Sequence, residues 1–210
     1  MIAKRLLAGG LTVLLAAAAA AEKALPPENL VYCTVCHGAD MKGNAVIEAP
    51  RLSGMDGWYI ERQLTAFRNG WRGAKEEDTA GMEMRPMAAA LGDVEIAQAA
   101  AYVAATMSPP PEPTIHGDTA RGRRLYETCA ACHGAAGDGQ PELGAPALTG
   151  LDDWYLARQL ASFQGGLRGS VEEDLAGRQM AAAAATLADE QDILDVVAYI
   201  NTLNPDEEPR

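Results

Sequence analysis

The sequence predicts an all-α protein built from two tandem small helical domains. Three observations carry that reading. Most of the chain recurs at an offset of 96 residues, its apolar positions recur at helical spacing, and no stretch of any length alternates as a half-buried strand does. One pentapeptide sits at the head of each copy and uses every cysteine in the chain: Cys33-Thr34-Val35-Cys36-His37 and Cys129-Ala130-Ala131-Cys132-His133.

The repeat runs without a gap for most of its length. Trp58, Tyr59, Arg62, Gln63, Leu64 and Phe67 return as Trp154, Tyr155, Arg158, Gln159, Leu160 and Phe163, and Arg72, Gly73, Gly81 and Met84 return as Arg168, Gly169, Gly177 and Met180. A period of 96 is too long for a solenoid unit and has the size of a small domain. The joint is Ser108-Pro109-Pro110-Pro111-Glu112-Pro113, a proline-rich segment expected to be extended and semi-rigid. The expected division is therefore a domain over 22–108, a linker over 109–117 and a second domain over 118–210. His116, just past the prolines, has no ligand-like neighbour and reads as a solvated linker residue.

Each copy reads as helix, cysteine loop, helix, long loop, helix. In the second copy Thr119 is the expected cap of a first helix running into Cys129; in the first, Pro26-Pro27 delays that helix to about Glu28. Gly38 and Gly43, or Gly134, Gly137 and Gly139, then turn the backbone tightly. The middle helices span Trp58–Phe67 and Trp154–Phe163, with Asp56 and Asp152 as expected caps and Gly70 and Gly165 as stops. The last helices begin near Asp93 and Asp189, with Ile96, Ala100 and Val103, and Ile193, Val197 and Ile200, on the inner face.

Residues 1–21 read as a secretory signal peptide. Lys4 and Arg5 precede an apolar run from Leu6 to Ala21 whose alanines offer a cleavage site near Ala21–Glu22. Sixteen alanine- and glycine-rich residues fall short of the roughly 20 needed to cross a bilayer. No later stretch is apolar enough to span, so any membrane association is peripheral. Export in a bacterium means the periplasm. From Glu22 onward 15 basic residues face 29 acidic ones, a balance of −14, with −4 on residues 22–108 and −10 on 109–210. That charge argues against nucleic acid as a partner, and it serves solubility or the steering of basic partners equally well.

Cys-x-x-Cys-His is the signature of covalent c-type haem attachment. On a helical turn, cysteines three apart share a face and can form thioethers to the two vinyl groups of one haem. The following histidine then lies beneath the iron as an axial ligand. A zinc ribbon would separate its cysteine pairs by roughly 15–20 residues. Here 92 residues lie between Cys36 and Cys129. A redox dithiol or a disulfide leaves both histidines unexplained. The expected cofactors are two covalently bound haem c groups, held by Cys33 and Cys36 and by Cys129 and Cys132, with His37 and His133 as iron ligands.

The second axial ligand follows from the repeat. The first copy offers Met82, Met84 and Met87, whereas the second has only Met180 in that region, and Met84 is its counterpart at the 96-residue offset. Met84 and Met180 are the expected ligands, with Met87 the chief rival and Met82 a weaker one. Trp58, Trp154, Phe67 and Phe163 read as core or haem-edge contacts. Arg62 with Arg158, and Arg72 with Arg168, suit either haem propionates or a solvated helix face.

With those motifs in place, the chain from Glu22 to about Pro205 resembles a dihaem class I cytochrome c of the cytochrome c4 type. The resemblance implies two tandem class I domains facing one another across a pseudo-two-fold axis, each a small helical fold around its haem. It also implies electron movement between the haems, and Tyr102 and Tyr199 packing on the first helix of their domains. The expected function is a periplasmic electron carrier rather than an enzyme, its iron cycling between Fe(II) and Fe(III). Expected partners are redox proteins: a membrane-bound quinol-oxidising complex, a terminal oxidase or a dehydrogenase. The alternatives are a cytochrome subunit of a dehydrogenase or oxidase complex and, further off, a dihaem peroxidase with an open iron position.

Overall fold

A computed structural model describes residues 26–204, so the expected signal peptide lies outside the described residues. The second half shows the architecture most fully. Helix α5 (Thr119–His133) crosses α8 (Glu190–Ile200), while α6 (Asp153–Gln164) packs on both α8 and α7 (Leu175–Ala184). In the first half, after the short α1 (Cys33–His37), α2 (Gly57–Arg68) likewise packs on both α4 (Asp93–Ala105) and α3 (Thr79–Ala89). Among the described residues the only extended pairing is two isolated bridges, Asn44 with Ala49 and Gln140 with Ala145.

The α5–α8 crossing follows from particular residues. The Asp118 carboxylate accepts from the Ala120 and Arg121 amides and so starts α5 one residue before the expected Thr119. Gly122 meets the Asp195 carbonyl and the Tyr199 Cβ so closely that no Cβ fits there. Beyond this contact Tyr126, 3% exposed, packs on Tyr199 in a tilted arrangement with ring centroids 5.4 Å apart. Burial pushes the Tyr126 phenol up, keeping it protonated as a 2.8 Å donor to the Gly134 carbonyl. Ile193, Val196, Val197 and Ile200 fill the inner face of α8.

The first half lacks this crossing. After Pro27 the chain makes only a 3-10 turn, Glu28–Leu30, before the short α1, so the first helix expected from about Glu28 is broken in two. Tyr199 packs on its first helix as the resemblance implied, but Tyr102 has no comparable helix beside it and lines an internal cavity instead. Two further expectations need correcting. Asp56 and Asp152 occupy the cap positions of α2 and α6 without a side-chain cap bond; the Asp152 carboxylate instead accepts from the Arg51 amide of the other half at 2.8 Å. α6 ends at Gly165 as expected, with the left-handed turn on the next residue, Gly166 (φ +69), matching Gly70 at +74. The expected long loop contains α3 and α7, started by Asp78 and Asp174 accepting from the Gly81 and Gly177 amides at 3.1 and 2.9 Å.

The segment between the halves is anchored. Asp153, 3% exposed, accepts from the Thr114 amide at 2.5 Å and hydroxyl at 2.7 Å, the Ile115 amide at 2.6 Å and the Asn201 amide at 3.1 Å. Burial alone would raise its pKa, but the Ile115 and Thr114 donors hold the carboxyl below the usual range. Asp153→Ala strands those donors and should cost about 2–3 kcal/mol in denaturant unfolding. A folded-state pKa below the unfolded value makes this stabilisation complete above about pH 4 and lost as pH falls through the folded value. The Tm gap between wild type and Asp153→Asn should therefore hold from about pH 7 to 5 and close in stronger acid. A gap that persists in strong acid is the contrary result.

Candidate functional site

A cavity lies in each half, and the same backbone device builds both. α1 and α5 end on His37 and His133, after which Gly38 (φ 76) and Gly134 (φ 80) turn the chain outward. It folds back at once: the Gly43 amide donates to the His37 carbonyl at 2.9 Å and the Gly139 amide to the His133 carbonyl at 2.8 Å. At both positions φ is near +80, and a Cβ would lie 2.5 Å from the backbone of Arg51 or Ala147, so glycine alone permits the approach.

That approach carries the Pro50 carbonyl to 2.7 Å from His37 Nδ1, and the Pro146 carbonyl to 2.8 Å from His133 Nδ1. A carbonyl only accepts, so Nδ1 bears the proton and Nε2 keeps a free lone pair. The two rings are 4% and 7% exposed. Burial pushes both imidazoles below the ordinary histidine value, against a smaller upward pull from the proline carbonyl. Neutral imidazole is the metal-binding form.

The cavity of the first half is lined by Cys33, Cys36 and His37 on one side and by Met84 and Met87 of α3 on another. The cavity of the second half is lined by Cys129, Cys132, His133 and, from α7, Met180. All eight expected ligand and attachment residues are thus gathered, four to each cavity. Met82 is not among the lining residues. Met87 is, although Ala183 occupies its place in the second cavity. In each pair one thiol is partly buried, Cys33 or Cys129, and one is exposed, Cys36 or Cys132. Burial pushes the Cys33 and Cys129 thiols up.

The residues that sequence reasoning left open or missed lie between the cavities. Tyr59, Gln63, Tyr155 and Gln159 each line both cavities and form a common wall. Arg62 and Arg158 are spent across the domain boundary: Arg62 Nη2 donates to the Gly144 carbonyl at 2.7 Å, and Arg158 Nη2 pairs with Glu48 at 2.9 Å. Arg72 and Arg168 are not on a solvated helix face; they are 7% and 6% exposed. They lie over Phe67 and Phe163 at 4.2 and 4.3 Å, and each leaves Nε without a hydrogen-bond partner. Their recurrence at the 96-residue offset was the only sequence signal for this wall.

A thiol pair, a neutral buried imidazole and a thioether around one apolar space form a donor set suited to covalent haem, and two orphaned cationic donors suit its carboxylates. Comparison with known proteins agrees. The cytochrome c family profile matches residues 28–106 and 119–204. Cytochrome c4 of Thiocapsa roseopersicina is 32% identical over 82% of this chain and 87% of its own length, and that of Pseudomonas aeruginosa 30% identical over 97% and 98%. A protein of Stutzerimonas stutzeri named thiosulfate dehydrogenase electron acceptor is 36% identical over 69% of this chain and 68% of its own. Among solved structures, reduced cytochrome c4 from Pseudomonas stutzeri superposes with a TM-score of 0.65 at 28% identity, covering 83% of this chain and 95% of that one. The thiosulfate dehydrogenase TsdBA of Marichromatium purpuratum gives 0.64 at 31% identity, covering 82% of this chain and 36% of that one. Among the described residues no helix is long and apolar enough to cross a membrane. Two matched domains, two attachment motifs and cytochrome c4 relatives along nearly the whole chain place this protein in the cytochrome c family, as a haem-bearing electron-transfer protein of the dihaem cytochrome c4 type.

Proposed function

We propose that the protein is a periplasmic electron carrier with one haem c in each half, 22–108 and 118–210. Cys33 and Cys36 bond the first group and Cys129 and Cys132 the second. His37 and Met84 are the axial ligands of one iron, His133 and Met180 those of the other. The observation that carries this reading is the meeting, in each cavity, of a buried neutral histidine from a helix end with a methionine from a second helix. Met84 is preferred to Met87 because its counterpart is a methionine, whereas the counterpart of Met87 is Ala183.

When bound, haem supplies the one-electron centre. The chain supplies what tunes it. The Pro50 and Pro146 carbonyls fix the histidine tautomer and orient the ring. Thioether ligation raises the potential relative to stronger donors, which suits the oxidising end of a respiratory chain. Val35, 78% exposed between Cys33 and Cys36, leaves an apolar edge at the surface beside the first attachment site, where a redox partner can approach.

Lys4, Arg5 and the apolar run to Ala21 support export, and cysteines committed to thioethers suit an oxidising compartment. Partners are redox proteins of the respiratory chain, such as a quinol-oxidising complex or a terminal oxidase. A second reading, the dedicated electron acceptor of a dehydrogenase, is favoured by the thiosulfate dehydrogenase relatives. A stable dehydrogenase co-purifying with the native protein selects the second reading; free protein reduced by several donors selects the first.

Protein exported with the haem-attachment machinery should begin at Glu22 by N-terminal sequencing and give two haems per chain after alkaline pyridine treatment. Met84→Ala and Met180→Ala should each remove about half of the weak long-wavelength ferric–sulfur band. Met87→Ala should leave it intact. One haem per chain, or a high-spin wild-type spectrum, would overturn the ligand assignment. Each half has a small core, so replacing all four cysteines with alanine should abolish haem loading and most of the cooperative helical melt in circular dichroism. Native-like helix content in that variant would contradict a haem-dependent fold.

A further inference from the structure

The two cavities meet the surface through rims of different character. Around the first, Tyr32, Ile47 and Met87 line the cavity and are themselves exposed. Val31 and Val35 extend this rim along the attachment motif, and Val46, 91% exposed, extends it beside Ile47. Apolar side chains exposed singly are ordinary, whereas a group of them around one opening marks a contact surface. At the 96-residue offset Glu127, Thr128, Ala131, Glu142 and Ala183 stand in place of Val31, Tyr32, Val35, Val46 and Met87, and only Leu143 matches Ile47. The second half builds the same kind of cavity from polar and small rim residues. The fold therefore does not require the apolar ones.

The charges at the first rim are also particular to it. Glu83 is exposed on the cavity lining, and Glu28 is exposed in the turn that carries Leu30, another lining residue. Among the described residues no ion pair engages either carboxylate. Their counterparts are Gln179 and Arg124, so this free negative flank is confined to the first half. The other charges on these segments are occupied: Lys42 pairs with Asp40, Glu48 with Arg158, and the Arg85 guanidinium lies against Gly70. An apolar centre with an acidic flank complements an apolar patch with a basic flank.

We propose that the rim of the first cavity is the docking face for a basic redox protein whose own contact patch is apolar, and that the first site is where the chain exchanges electrons with it. The proposal rests on the reading that each cavity holds a haem. One electron passes from ferrous iron at the first site to the ferric partner; no bond forms or breaks and no proton moves. The free carboxylates steer the partner in, and the apolar side chains hold it briefly.

The probe is a ferric basic cytochrome c whose exposed haem edge is ringed by lysines. Its affinity is read by chemical-shift titration and its reduction by the ferrous two-haem protein in stopped flow. Val46→Gln with Ile47→Gln removes apolar area at constant charge and should lower both affinity and rate by about tenfold. Val46→Gln alone, at a side chain pointing to solvent, serves if the double variant loads haem poorly, with about a threefold fall expected. Leu143→Gln at the second rim should change neither quantity. Glu28→Gln with Glu83→Gln should slow the reaction by about threefold and flatten its dependence on ionic strength. Val46→Glu separates the two contributions by sign: purely electrostatic docking would speed the basic probe, whereas an apolar contact makes the same change slow it. Unchanged affinity and rate in the glutamine variants, or an equal fall in Leu143→Gln, overturns the proposal. A wild-type dimer in sedimentation that Val46→Gln abolishes also overturns it, since the face then belongs to a second copy. A wild-type chain without two low-spin haems would instead overturn the carrier reading beneath it.

Discussion

A proline carbonyl held against a buried imidazole is the contact on which the rest of each half depends. The histidine can serve iron only if its Nδ1 proton is spoken for, its ring is neutral and its Nε2 faces the cavity. All three conditions come from one local fold. A left-handed glycine, Gly43 or Gly139, lets the loop lie on the chain that bears Pro50 or Pro146, and the carbonyl arrives at 2.7 or 2.8 Å. The pairing of Asn44 with Ala49 and of Gln140 with Ala145 closes the loop behind it. A side chain at either glycine would move the carbonyl away and leave the imidazole tautomer undefined.

Around this shared core the two halves solve one packing problem differently. In the second, the long α5 brings Tyr126 against the haem loop, and a side chain at Gly137 would meet Tyr126 Oη, Thr149 and Leu203. In the first, Leu30 stands at the position of Tyr126 and the long helix is missing. The residue matching Gly137 is Met41, only 1% exposed, in the left-handed region at φ 55. A left-handed non-glycine costs about 1–2 kcal/mol, and burying a methionine side chain returns about 1.5–3 kcal/mol. The strained backbone is offset by the apolar volume it places where the first helix would otherwise contribute.

The duplication singles out the expected ligands: of three neighbouring methionines only Met84 has a methionine counterpart in the second copy, and it lines the same cavity as His37. The segments of α2, α4, α6 and α8 were also legible, from the acidic or glycine residues at their starts and the apolar residues that recur along them. The helices α3 and α7 were not. The first has Pro86 inside it and the second ends in four consecutive alanines, and what starts them is an Asp-x-x-Gly contact whose glycine packs on the capping carboxylate. The roles of Asp152, Asp153 and Arg51 were equally hidden. Each is defined by contacts to residues about 40 to 100 positions away, and no local pattern encodes those.

The wall between the cavities obeys a symmetry that the surface does not. A residue close to a two-fold axis touches its own counterpart's surroundings, so one placement in the ancestral module is used twice. Gln63 bonds Arg72 and Arg168, and Gln159 necessarily bonds the same pair. Changing any member alters both cavities at once. Away from the axis each contact can change alone, and there the copies differ. Glu48, left-handed at φ 58, pairs with Arg158, whereas its counterpart Gly144 offers only a carbonyl to Arg62. Lys75 reaches the Gly166 carbonyl from one side only. Part of the −10 of the second half is interior, since Asp153, Asp192 and Asp195 are buried, but exposed differences such as Glu48 against Gly144 leave the outer faces free to be matched to different partners.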